Sequence, residues 1–291
     1  MNQKQDLVNK VMVITGANSG IGYEAALDFA RRGATVVMVC RSEQRGQAAV
    51  DAIRQQSGNP DVHLYVADFS LLDSVAQAGR RLRNDYPRID VLCNNAGAAN
   101  ARRQITSEGF ELTFAANHLG GFLLTQLLLP SLLAAAGHGS ARVVFTSSYG
   151  HNSSPLDFDD LDFARNYGGL KAYGRSKLMN LLTARELHRR FRQQGIIASS
   201  FHPGAVRTPI WSKGGAMGNL LGLLLYPFMV SVQKGADTLI WLATSPEAAA
   251  ADGHYYYTRR RWRTAPFATD GAAARLWEES MKRVEPYLSF V

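Results

Sequence analysis

Short β-branched runs alternate with longer amphipathic ones along most of this chain, and no other feature restricts its fold as strongly. Val11-Met12-Val13-Ile14 leads into a helical stretch ending near residue 32. Residues 35–39 lead into a second helix through Val50 and Ile53, residues 62–66 into a third reaching Tyr86, and residues 89–92 into a long helix over about 114–133. A fifth strand follows at 142–145. Alternation of this kind favours parallel strands, right-handed crossovers and helices on both faces of the sheet. The pattern loosens over residues 150–169, then resumes with a helix at about 170–192 and a strand at 196–201. A Gly-rich apolar stretch comes next, followed by a helix, a strand at 254–257 and a last helix around 272–284. The predicted fold class is α/β, a doubly wound parallel sheet of about seven strands.

No repeat, low-complexity tract or change of composition marks a linker, so the chain reads as a single domain over residues 1–291, a length that one core can serve. Hydrophobic residues at 46% and charged residues at 19% exclude an intrinsically disordered chain. The 32 Lys and Arg against 24 Asp and Glu leave a net charge of +8, which raises the question of anionic partners. That charge is scattered except at Arg259-Arg260-Arg261-Trp262-Arg263, just after Tyr255-Tyr256-Tyr257. Cations mixed with aromatics suit single-stranded nucleic acid, but one such patch reads better as solvated surface, and no nucleic-acid partner is expected. The two cysteines, Cys40 and Cys93, each close an apolar strand, at ends that this fold keeps apart. Two reduced core thiols and a cytoplasmic setting are therefore expected. Residues 1–10 are polar and lack the apolar stretch of a signal peptide or anchor, so neither is expected there.

Thr15-Gly16-Ala17-Asn18-Ser19-Gly20-Ile21-Gly22 joins the first strand directly to the first helix. Glycines in such a turn let backbone N–H groups approach a pyrophosphate at the positive end of the helix dipole. Three residues separate Gly16 from Gly20 and one separates Gly20 from Gly22, which departs from G-x-G-x-x-G, so the kinship is one of mechanism. Gly16, Asn18, Ser19, Gly20, Ile21 and Gly22 are thus candidate cofactor contacts in a Rossmann-type sheet. At the end of the second strand, where a carboxylate would take the ribose 2′-hydroxyl of NAD, the chain has Arg41-Ser42. A guanidinium grips a 2′-phosphate bidentately, so NADP(H) is expected in preference to NAD(H).

Tyr173 and Lys177 stand four apart in a helical segment and so share a face. A free phenol with pKa ~10 is too weak a base at neutral pH, and a nearby ammonium would lower it. Five motifs follow one another in a single order: Thr15-Gly16-x-x-x-Gly20-x-Gly22, Asn94-Asn95-Ala96-Gly97 after the fourth strand, Ser148 after the fifth, Tyr173-x-x-x-Lys177, and Pro203-Gly204 after the sixth. Over nearly the whole chain this resembles the short-chain dehydrogenase/reductase family. Cys40-Arg41, Asn117-His118-Leu119-Gly120 and His202-Pro203-Gly204 look most like its retinol dehydrogenase-like branch.

The resemblance implies an oxidoreductase interconverting a carbonyl and an alcohol, with Tyr173 as general acid/base and Lys177 beside it. It gives Ser148 the task of holding the substrate oxygen together with the phenol, with Ser147 as the fallback. It makes Asn117 the positioner of a water leading from Lys177 to solvent. It also sets Asp68 and Phe69 beside the adenine, and Asn94, Asn95, Ala96 and Gly97 beside the adenosine ribose. Pro203, Gly204, Val206 and Thr208 go to the nicotinamide end, and Tyr173 and Lys177 to its ribose. His118, His151 and His202 show no metal-ligand spacing and read as structural, so no catalytic metal is expected.

Leu220-Leu221-Gly222-Leu223-Leu224-Leu225-Tyr226-Pro227-Phe228-Met229 falls where the family places its substrate lid, here around residues 208–232. A greasy lid implies a lipophilic small-molecule carbonyl or alcohol: retinoid-like, steroid-like or an aromatic polyketide. The stretch is shorter than the ~20 apolar residues of a spanning helix and is broken by Pro227, although it allows weak contact with a membrane surface. The family also implies a homodimer or homotetramer built on the long helices that contain Asn117 and Tyr173. The alternative is a non-catalytic dinucleotide-binding regulator on the same fold, which would ordinarily carry a broken catalytic set. Here Asn117, Ser148, Tyr173 and Lys177 are all present.

Overall fold

Seven of the eight strands of one sheet run parallel. They are β1 (Val11–Thr15), β2 (Thr35–Cys40), β3 (Val62–Val66), β4 (Val91–Asn94), β5 (Ala141–Thr146), β6 (Ile196–His202) and β7 (Tyr255–Tyr257). The spatial order is β3-β2-β1-β4-β5-β6-β7-β8, so the winding reverses between β1 and β4. Ligands of such sheets bind outside the carboxyl ends of the strands at that reversal. The eighth strand, β8 (Arg260–Arg261), pairs antiparallel with β7. The sequence predicts about seven strands and no hairpin here; the arginine run instead turns back through Thr258 and Arg259, both at positive φ. This computed structural model describes residues 5–206, 229–250 and 253–289.

Burial alternates along the strands, because successive side chains point to opposite faces. Val13, Val37 and Val39 go to one core, and Met12, Ile14, Val36 and Met38 to the other. The first core is closed by α3 (Leu72–Asp85), α4 (Leu112–Ala136), α5 (Gly169–Phe191) and α7 (Asp270–Leu288). The second is closed by α1 (Gly20–Arg31), α2 (Glu43–Ser57) and α6 (Val232–Thr244). The result is a single-domain Rossmann-like fold with helices on both faces.

Helix α4 is long and apolar enough to cross a membrane by length and composition, but 72% of its apolar window is buried inside the protein. It packs against α3, where Gly79 leaves room for Leu127: a Cβ at Gly79 would come within 2.7 Å of Leu127 Cδ1. Cys40 and Cys93 are free and buried, on strands that β1 separates. The central part of the apolar stretch, residues 207–228, and Thr208 with it, lie outside the described residues.

Candidate active site

The loop after β1 is shaped by two contacts that only glycine permits. Gly16 has φ +66°, and a Cβ there would lie 3.0 Å from Ala96 Cα; a Cβ on Gly22 would lie 2.6 Å from the Gly16 carbonyl oxygen and 2.7 Å from Asn95 Nδ2. The backbone from Gly16 to Gly22 is therefore folded tightly against the strand β4 exit. Ser19 precedes α1, and its hydroxyl makes no capping hydrogen bond. The first N–H groups of a 12-residue helix thus face the loop without a side-chain acceptor, which fits a bound pyrophosphate.

Thr15 ties this loop to the next one. Its Oγ1 accepts from the N–H groups of Asn95 and Ala96, each at 2.9 Å, while Asn95 Nδ2 donates to the Thr15 carbonyl at 3.1 Å. Thr146 Oγ1 donates to Asn95 Oδ1 at 3.2 Å, which carries the same network to the end of β5. Asn94 points the other way, its Nδ2 donating to Thr125 in α4 at 2.9 Å. Of the adenine candidates, Asp68 is half-buried and accepts from Ser70, whereas Phe69 is turned into the core against Gly120. Arg41 is exposed at the end of β2, and Arg45, also exposed, stands in the first turn of α2 behind the Ser42 cap.

At the ends of β5 and β6 the remaining candidates meet. The two serines part company: Ser147 is buried and donates to the Lys177 carbonyl at 2.7 Å, while Ser148 is half-buried and caps the 3-10 turn Tyr149–Asn152. A Cβ on Gly150 would lie 3.6 Å from Ser148 Oγ and 3.7 Å from Tyr173 Cδ1, so the serine and the tyrosine flank one spot, and the Ser148 hydroxyl lowers the phenol pKa. Burial acts more strongly and in the opposite sense, so the phenol stands above its ordinary value. Lys177 Nζ lies 5.4 Å from the Tyr173 ring centroid and donates to the Thr146 carbonyl at 3.1 Å. Only 3% exposed, its ammonium is pushed down to about 8 by burial. The sequence reading has Lys177 lowering Tyr173, and its Nζ stands beside that ring.

Asn117 occupies a one-turn π segment, Ala115–Leu119, inside α4. Such an insertion frees a backbone position and is frequent at functional sites. Its Oδ1 accepts from Ala98 N at 2.7 Å, and its Nδ2 donates to the Ala98 carbonyl at 2.8 Å and to Ser176 Oγ at 2.9 Å. A Cβ on Gly97 would lie 3.1 Å from Lys177 Nζ and 3.4 Å from Asn117 Oδ1, so this glycine is the common neighbour of both side chains. Past β6, Gly204 has φ +87°, and Val206 is buried and bridges to Val230.

Sequence reasoning assigns no role to Thr15, Thr146, Ser176 or Asn180, yet all four hold parts of the site. Asn180 Nδ2 donates to the same Thr146 carbonyl that Lys177 uses, at 3.1 Å. Its place one turn after Lys177 on α5 is the signal that could have pointed to it. His151 and His202 also touch this region, through the Ser148 carbonyl and the Tyr149 N–H.

A family model for the short chain dehydrogenases matches residues 10–217, and the chain belongs to that family, a family of nicotinamide-dependent oxidoreductases. It is 41% identical over 280 residues, 96% of this chain and 93% of the other, to a Streptomyces sp. (strain C5) protein assigned as a daunorubicin C-13 ketoreductase. It is 35% identical over 288 residues to human retinol dehydrogenase 13, covering 97% of this chain and 86% of that one. Among solved structures, an uncharacterised protein from Mycobacterium paratuberculosis superposes with TM-score 0.76 at 31% identity, over 98% of both chains.

Proposed function

We propose that this protein is an NADP(H)-dependent reductase of lipophilic ketones or aldehydes, acting in reverse as an alcohol dehydrogenase. The observation that carries the reading is the convergence of Ser148 and Tyr173 on Gly150, with the buried Lys177 ammonium beside the same tyrosine ring. A bound nicotinamide supplies the hydride. As negative charge grows on the substrate oxygen, Tyr173 gives it the phenolic proton, and Ser148 Oγ holds the same oxygen. Lys177, still mostly protonated at neutral pH, stabilises the phenolate left behind. Asn117, fixed on three bonds at the π turn beside Lys177, lies on the route by which a water would return a proton to Tyr173.

The turn Gly16, Asn18, Ser19, Gly20, Ile21 and Gly22 would hold the pyrophosphate, and Asp68 and residues 94–97 the adenosine. Arg41 would hold the 2′-phosphate, with Arg45 adding positive charge close by. Pro203, Gly204, Val206 and Thr208 remain the candidates for the nicotinamide end. Lipophilic substrates are supported by Tyr149, 64% exposed one residue after Ser148, and by Leu170, 75% exposed three residues before Tyr173. The names of the relatives, a daunorubicin C-13 ketoreductase and a retinol dehydrogenase, agree with this reading in reaction class. The same reading takes the protein as a cytoplasmic homodimer or homotetramer whose apolar lid touches membrane surfaces weakly at most.

The test is cofactor consumption by the purified protein against a panel of lipophilic ketones and aldehydes, with NADPH and NADH in parallel. Turnover that favours NADPH is expected. Binding of cofactor without turnover on any member of the panel would turn the reading toward a dinucleotide-binding regulator.

A further inference from the structure

His151 is completely buried, at the end of the 3-10 turn that begins after Ser148. Its ring makes two hydrogen bonds of opposite sense. Nδ1 donates to the Ser148 carbonyl at 2.7 Å, and Nε2 accepts the Ala265 N–H at 3.3 Å. Only the neutral ring protonated at Nδ1 satisfies both, and burial favours that uncharged form. The ring also stands edge-on to Tyr255, with centroids 4.7 Å apart and planes at 67°. Ser148 is in extended conformation, φ −161° and ψ 159°, and its carbonyl takes the His151 backbone N–H at 3.1 Å as well as the ring. The direction of this carbonyl sets the direction of the Ser148 Cβ, and hence where the hydroxyl can reach.

We propose that His151 is a positioning residue for Ser148: its imidazole clamps the Ser148 carbonyl so that the hydroxyl stays aimed at Tyr173. The proposal rests on the reading of Ser148 and Tyr173 given above. It also assigns a use to the C-terminal segment, since the chain leaving the arginine hairpin at β8 reaches Ala265 and closes the far side of the ring. His202 acts on the next residue, its Nδ1 accepting the Tyr149 N–H at 3.4 Å. Among the described residues, the His151 ring faces the ionisable groups of His202 and Tyr255, neither of them an anion.

Two variants separate the two bonds. In His151→Asn the amide nitrogen falls where Nδ1 was and keeps the Ser148 bond, while the Ala265 N–H loses its acceptor. In His151→Gln the amide falls where Nε2 was and serves Ala265, while Ser148 loses its donor. Both are compared with wild type and Tyr173→Phe for kcat, KM, NADPH binding by fluorescence, the pH profile of kcat and Tm. The expected result is that His151→Asn keeps kcat within a few-fold despite a lower Tm. His151→Gln should lose about 10- to 100-fold in kcat with NADPH binding unchanged, since misplacement of a reacting group costs rate before it costs affinity. Its kcat profile should also move to higher pH, because the Ser148 hydroxyl that lowers the Tyr173 phenol is displaced. Equal losses in the two variants, losses that follow Tm, or a His151→Gln more active than His151→Asn would overturn the positioning role. Either variant alone still decides, because a fully active Gln or a folded, inactive Asn contradicts it. Activity in Tyr173→Phe would show instead that the site reading beneath it has failed.

Discussion

Ser147 and Ser148 are chemically identical and adjacent, and the strand alternation makes them different. Ser147 turns into the core to bond the Lys177 carbonyl, and Ser148 turns out toward Tyr173. The same alternation leaves Arg41 exposed directly after the buried Cys40. If Arg41 grips the 2′-phosphate, Arg41→Asp repels it and accepts the ribose hydroxyl instead. The ratio of kcat/KM for NADPH to that for NADH should then fall at least about tenfold, the cost of roughly one charge-assisted hydrogen bond. Parallel initial rates with the two cofactors check this, and an unchanged ratio would remove Arg41 from the cofactor site.

Among the elements, the β1–α1 turn and the π segment of α4 shape the site most directly. Gly22 has no room for a methyl group, because its nearest neighbours would be a backbone oxygen and the Asn95 amide that braces the loop. Gly22→Ala should lower stability by about 1–3 kcal/mol, as overpacking does. It should also abolish most of the stabilisation that added NADPH confers. Melting curves with and without NADPH separate the two effects; wild-type stabilisation by NADPH in this variant would mean that the turn does not hold the cofactor. The turn and the succession of strands along the chain were legible in the sequence because glycine spacing and β-branched runs are local signals; the spatial order of the strands was not. The π segment was not, because the bonds that accompany it, from Asn117 to the Ala98 backbone, join residues 19 apart in the chain. The hairpin at β8 was missed for a related reason: Thr258 and Arg259 take left-handed backbone angles that their side chains do not announce. The Phe69 ring lies in the core, where Gly120 of α4 leaves it a seat.

Across the whole molecule, three histidines are kept neutral by burial. The pKa of His118 is lowered to about 3 and that of His202 to about 4, and His151 is lowered as well. Unfolded, each returns to ~6.5. Below that pH the unfolded chain binds protons that the folded chain does not, so stability falls as pH drops from ~6.5 toward 4 and changes little above it on their account. Tm measured across that range should decline steadily, and less steeply in His202→Asn, which removes one of the three groups. A flat Tm between pH 6.5 and 4.5 would contradict neutral burial of the histidines. The sheet, the two cores and the membership in the short-chain dehydrogenase family bring Ser148, Tyr173 and Lys177 together at the carboxyl ends of the strands, and the central claim is that this cluster performs proton transfer. The most direct test is Tyr173→Phe, assayed beside wild type for NADPH binding and for turnover on the best ketone of the panel. NADPH affinity within a few-fold of wild type is expected, with turnover lowered at least about 100-fold, the contribution of one general acid; a Tyr173→Phe protein that turns over at the wild-type rate would contradict it.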